Sequence, residues 1–180
     1  TQTGGQCRAS SYLPLIKKAL VDAGYTDTPV MALTFGADLG NNQPAFKVDW
    51  KKVLPIALRA VLYSDVINKC YHASVVREKE QGMAMQLQQK YMQTGAKLID
   101  KGRSKELYDV LAIAAREFDT LCVDKDLPKV GVVGEIYLKF NHFANRNIVD
   151  WLVKQGVEVV PPVLTDFFTQ TFVNSQVRVA

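Results

Sequence analysis

Three short apolar runs, residues 30–35, 130–138 and 157–160, are separated by stretches far longer than a hairpin turn, and this spacing constrains the fold more than any other feature. Val30-Met-Ala-Leu-Thr-Phe35 lies between Pro29 and Gly36, and Val157-Glu-Val-Val160 runs into Pro161-Pro162. Nearly unbroken apolar runs bounded by Gly and Pro read as strands buried on both faces. Strands separated by helical segments pair in parallel, through crossover connections. The expected fold class is α/β, a small parallel sheet covered by helices.

The helices follow from apolar spacing. Ser10 or Ser11 is placed to cap a helix running to about Ala23, with Leu13, Ile16, Leu20 and Val21 on its apolar face and Gly24 ending it. A polar loop, residues 36–44, sits at the carboxyl end of the first strand. A helical pattern over residues 49–68 uses Trp50, Val53, Leu54, Leu58, Val61, Leu62 and Ile67, with Asp49 as a cap. Pro55 is expected to kink that helix or mark a later start. Residues 76–101 and 104–122, divided by Gly102, predict a helical hairpin in which Met83, Met85 and Met92 pack with Leu87, Tyr91 and Leu98. The block 49–122 then forms a helical insertion between strands. After the second strand, a helix over 144–154 turns Ile148, Trp151 and Leu152 inward and stops at Gly156, and the tail, 164–174, keeps helical spacing and is expected to lie on the sheet.

With 180 residues, 48% of them hydrophobic and 22% charged, the chain is expected to form one α/β domain, 1–180. No apolar run approaches the ~20 residues that span a bilayer, so no membrane role is expected. The net charge of +4 is spread over helix faces rather than gathered with aromatics, which speaks against nucleic acid. Cys7, Cys70 and Cys122 lie far apart, which fits a reducing cytoplasm better than a disulfide framework. The opening Thr1-Gln-Thr-Gly-Gly5 lacks the basic and apolar regions of a signal peptide and reads as the interior of a longer polypeptide.

Two places could carry chemistry. Cys7 lies in the turn Gly4-Gly-Gln-Cys-Arg8 just before a helix, where backbone N–H groups and Arg8 would stabilise a thiolate able to bind metal or attack an electrophile. Residues 130–145 run from an apolar strand into a polar turn opening a helix, a junction that in open α/β sheets borders the ligand crevice. Glu135, Asn141, His142 and Asn145 fall at that edge; the alternative is that Asn141 or Asn145 only caps the helix near Ala144. His72 and His142, the two histidines, lack spaced metal partners, and no GxxxxGK[ST], GxSxG or GxGxxG motif is present.

Gly5-Gln-Cys-Arg8 followed by Tyr12 resembles the Gly-Pro-Cys-Arg-x-x-x-Tyr motif of the 2-hydroxyacyl-CoA dehydratase activase-related proteins, which include the long CoA-substrate-specific enzyme activases. Val130-Gly-Val-Val-Gly-Glu-Ile-Tyr-Leu-Lys-Phe-Asn141 with Phe143-Ala-Asn145 resembles the family's Gly-Glu-Ile-Tyr-x-Arg-x-Asn-x-Phe-x-Asn signature. The resemblance implies a Rossmann-like fold similar to the dehydratase iron–sulfur component, in which separated cysteines hold a [4Fe–4S] cluster. Cys7 would be the metal ligand, Arg8 would tune the nearby charge, and Glu135, Asn141 and Asn145 would shape the pocket edge. It further implies a fragment that binds a cluster only in the full-length protein, has no independent activity, and partners the other domains of its parent chain and a 2-hydroxyacyl-CoA dehydratase. The expected function is support of ATP-driven electron transfer to that dehydratase; the alternatives are a scaffold or docking domain without catalysis, and a CoA-ester binding module. Gln6 and Lys139 replace the motif proline and arginine, and Lys69-Cys-Tyr-His72 stands where the family often has Arg-Pro-Tyr-Glu.

Overall fold

In a computed structural model of the chain, residues 11–30 and 49–166 are described. The chain divides into two compact units, Thr1–Asp49 and Trp50–Ala180. In the first, α1 (Tyr12–Asp22) follows Ser11, which occupies the N-cap position without a side-chain cap bond. Gly24, at φ +85°, closes the other end. Its N–H donates to Val21 O at 3.0 Å and the Tyr25 N–H to Leu20 O at 2.8 Å, the paired bonds of a Schellman stop. The helix buries none of its residues, and Ile16 and Val21 of the expected apolar face are exposed. The expected strand 30–35, apart from Val30, and the loop 36–44 lie outside the described residues.

The second unit begins with α2 (Trp50–Ser74), which is longer than its sequence pattern suggested and runs through Pro55 from a start at Trp50. The later start therefore does not occur; the proline falls near enough the amino end that only one early backbone bond is lost. Helix α3 (Met83–Asp100) and helix α4 (Leu107–Leu121) pack on α2 and on each other, joined by Gly102 at φ +71° and a 3₁₀ turn, Ser104–Glu106. The core is Tyr63 and Ile67 from α2, Tyr91 from α3, and Leu107, Ala114 and Phe118 from α4. Leu87 and Leu98 pack against it as expected, whereas Met83, Met85 and Met92 are exposed. At the α2–α3 crossing the Tyr63 hydroxyl donates to Tyr91 O at 2.7 Å. Gly95 makes this approach possible, since a Cβ there would lie 2.6 Å from Tyr63 Cε1.

The start of the expected helix 76–101 is corrected: residues 75–82 are not helical. The Glu78 carboxylate accepts from the N–H groups of Gly82 and Ala84, each at 2.8 Å, and so caps α3 from outside. Residues 78 and 122 form an antiparallel bridge, so this stretch ties the start of α3 to the end of α4.

Strands β1 (Lys129–Gly131) and β2 (Glu158–Val160) pair in parallel, with Lys129 opposite Glu158, Val130 opposite Val159 and Gly131 opposite Val160. The expected parallel pairing is present, but the second strand is shorter than the 130–138 reading. Gly134 turns the chain at φ +147°, and Glu135 then caps α5 (Ile136–Phe140), its Oε2 accepting from Tyr137 N at 2.8 Å and Leu138 N at 3.3 Å. Helix α6 (Ile148–Lys154) also starts later than residue 144, because Arg146 and Asn147, both at φ 54°, hold a left-handed turn that no helix accommodates. Its buried residue is Val149, while Trp151 is 54% exposed, so the expected inward face is rotated. Gly156 stops α6 as expected, in the same manner as Gly24 stops α1.

Over the described residues the result is a mixed α/β protein, mostly helical, with a two-stranded parallel sheet. The sheet is tied by charge to the stretch between α2 and α3. Glu158 is buried on β2 and lies 2.7 Å from Arg77 Nη2 and 3.5 Å from Lys129 Nζ. The tail beyond Asp166 lies outside the described residues, and among those described no helix is long and apolar enough to cross a membrane.

Candidate functional site

Chain leaving the carboxyl end of β2, residues 161–164, forms one side of a cavity of about 390 Å³. Helix α2 supplies Asn68, Tyr71 and His72 from the opposite side, and the segment after β1 supplies Lys139, His142 and Asp150. The cavity therefore lies where strand ends meet helices, the place that α/β geometry favours for ligands.

Its walls are held by hydrogen bonds that use up several of the polar groups. Asp65, buried on α2, accepts from Thr165 N at 2.7 Å and so fixes the chain after β2. Ser64 turns back on its own helix, donating to Ala60 O and Val61 O at 3.0 Å each. The Gln88 Nε2 donates to Asn68 Oδ1 at 2.7 Å, which orients the Asn68 amide with its NH₂ group left over.

Four titratable side chains of the cavity, Tyr71, His72, His142 and Asp150, influence one another. Burial lowers the pKa of His72; Asp150 opposes that shift and His142 adds to it. Burial, with help from Asp150 and Glu78, raises the pKa of Tyr71 and keeps its hydroxyl a donor. The Tyr71 and His72 rings meet edge to face at 4.9 Å, and His72 Nδ1 is buried without a hydrogen-bond partner.

Of the residues expected from sequence, Cys7 and Arg8 lie outside the described residues. Glu135 is exposed and caps α5. Asn141 Oδ1 accepts from Ala144 N at 2.9 Å, the Asn145 N–H donates to Asn141 O at 3.0 Å, and Asn145 Nδ2 lies 3.5 Å from Lys139 O. These two asparagines build the turn rather than line the cavity. His142, in the same turn, does line it, and so does Lys139 just before it. Tyr71, His72, Asp150 and Lys139 were not assigned to the site from sequence, because nothing in residue spacing signals that α2 folds against the segment 139–150.

A second cavity, of about 600 Å³, is bordered by both Cys70 and Cys122. Burial pushes the Cys70 thiol pKa up, against a smaller opposing backbone hydrogen bond, and Cys122 Sγ lies 3.4 Å from Phe118 O as a donor. Among the described residues no three His, Cys, Asp or Glu side chains are grouped to hold a metal ion. No family model matches the sequence, and neither a curated protein nor a solved structure matches it.

Proposed function

We propose that the chain is a segment of an activase-related protein that supports ATP-driven electron transfer to a 2-hydroxyacyl-CoA dehydratase. Two motif resemblances support it, one around Cys7 and one over residues 130–145. The observation that carries the reading is the position of the second motif: Lys139 and Phe140 within it, and His142 beside its asparagine, line the cavity beyond the strand ends. Of the signature's fixed positions Lys139 lines the cavity, while Glu135, Asn141 and Asn145 hold the local backbone that presents it. In this reading Cys7 is a cluster ligand that acts together with cysteines outside this segment, and the Trp50–Ala180 unit carries the ligand-facing side.

Anaerobic iron–sulfur reconstitution of the polypeptide carrying this segment tests the reading. The expected result is broad visible absorption that falls in the Cys7→Ser form; identical spectra for the two forms reject Cys7 as a ligand. The cavity also favours a second reading, a CoA-ester binding module. That reading expects an acyl-CoA to raise the melting temperature of the chain while iron does not.

A further inference from the structure

Helix α2 has an apolar side that the core does not use. Leu54, Leu58 and Leu62 recur at every fourth position of its amino half, and all three are exposed. Leu58 precedes Ile67 by about two and a half helical turns, so this stripe faces away from the side that carries Tyr63 and Ile67 into the core. Asp65 continues the stripe about two turns beyond Leu58 and, unlike the leucines, is buried.

Two contacts fix the course of the chain that passes over α2 after the last strand. Strand β2 packs on α2, and Glu158 meets Arg77, just beyond the carboxyl end of that helix, at 2.7 Å. Further along, the Thr165 N–H donates to Asp65 Oδ2 at 2.7 Å. The chain therefore runs antiparallel to α2, toward its amino end. Residues 164–166 are helical, and Asp65 stands behind their first turn in the manner of a cap, so the direction of travel at Asp166 is away from Asp65 and toward the leucines.

The sequence beyond Asp166 matches that stripe in chemistry and in length. Leu164, Phe168 and Phe172 recur at every fourth position, with Phe167 beside them. As a helix, residues 164–174 would span about 16 Å, and Asp65 to Leu54 is likewise about 16 Å along α2.

We propose that residues 167–174 dock antiparallel on the outer stripe of α2, with Phe168 beside Leu62 and Phe172 beside Leu58. The occupant is the chain's own tail rather than a second copy, because the Asp65–Thr165 bond already delivers the tail to the end of the stripe at a high effective concentration. This course follows a helix rather than crossing the sheet. It holds residues 161–164, which wall the cavity, from both ends. The inference rests on neither functional reading above.

Magnetisation transfer between leucine methyls and phenylalanine rings, measured in the full 180-residue chain, tests it. Cross-peaks from Leu58 to Phe172 and from Leu62 to Phe168 are expected, assigned through Leu58→Met and Phe168→Leu variants. Phe172→Asp should abolish the first and move the Leu58 methyl resonances, whereas Phe143→Asp, at an exposed ring on the strand side, should leave them in place. Mixing chains labelled at the methyls with chains labelled at the rings separates the occupants. Transfer within one chain is expected; transfer only between chains assigns the stripe to a second copy and overturns the proposal. Absence of any cross-peak from Leu54, Leu58 or Leu62 to Phe167, Phe168 or Phe172, or an equal response to the two aspartate substitutions, overturns it as well. The iron and acyl-CoA experiments are untouched by either result.

Discussion

His72 has its imidazole pressed into the cavity wall, and its pKa is lowered chiefly by burial. Folding therefore favours the neutral ring. A histidine whose folded pKa lies below its unfolded value of 6.5 contributes stability in full above that pH and loses it as pH falls toward the folded value. The groups around it are Asp65 and Tyr71 on α2, Lys139 and His142 across the cavity, and Asp150 on α6. Denaturant midpoints measured between about pH 7 and pH 5 should drop for the wild type, and His72→Gln should remove part of the slope. Asp150→Asn should steepen it, because Asp150 is the charge that raises the His72 pKa. An unchanged slope in both variants would show that His72 titrates alike in the folded and unfolded chain. Gly95 sets a second test at this scale. Alanine would gain about 1 kcal/mol of helix propensity. It would also place a Cβ 2.6 Å from the Tyr63 ring, and overpacking of that sort costs about 1–3 kcal/mol. Gly95→Ala should therefore destabilise in urea, and joining it to Tyr63→Leu should recover most of the loss. Tyr63 itself, with its pKa pushed up to about 12 by burial, stays a neutral donor across the working range of the protein.

The secondary elements show where sequence pattern is a good guide and where it is not. Apolar spacing placed α1, the bodies of α2, α3 and α4, and the parallel pair, because long periodic stretches and Gly stops are local signals. It failed where a distant side chain set a boundary. Residues 76–82 have helical spacing, but Glu78 spends its carboxylate on the first amides of α3. Residues 136–138 continue an apolar run that reads equally as strand or helix, and Glu135 decides for helix by accepting from two amides. Removing either carboxylate should cost about 1 kcal/mol, the typical worth of a helix cap. Glu78→Ala is expected to lower the unfolding free energy measured in urea by that amount, whereas Glu135→Ala should fray the short α5. The Arg77–Glu158 pair is a larger matter. Both side chains are more than four-fifths buried, at 16% and 10% exposure. Removing one partner of a buried pair costs about 3–5 kcal/mol when it strands the other charge, and less here because Lys129 remains 3.5 Å from Glu158. Arg77→Met should therefore unfold at markedly lower urea concentration than wild type, and the double change Arg77→Met with Glu158→Leu should be the milder of the two.

Across the Trp50–Ala180 unit, α2 has two tasks. One side carries Tyr63 and Ile67 into the helical core, and another carries Asp65, Asn68 and His72 to the cavity. Its sequence announces the first task through apolar spacing. The second was invisible there, because polar residues on a helix look alike whether they face solvent or a pocket. The same limit explains the site assignments: Asn141 and Asn145 stood out as polar residues after a strand, yet Asn141 Oδ1 and Asn145 Nδ2 serve the turn, and Asn145 Oδ1 is buried without a hydrogen-bond partner. Two large apolar side chains on the strand side, Val133 and Phe143, are 90% and 91% exposed. Because one unbroken rod backs both core and cavity, the two ought not to breathe independently. Amide exchange along α2 should slow over its whole length when the cavity is occupied, so that a small molecule held beside His72 registers as tighter protection around Tyr63.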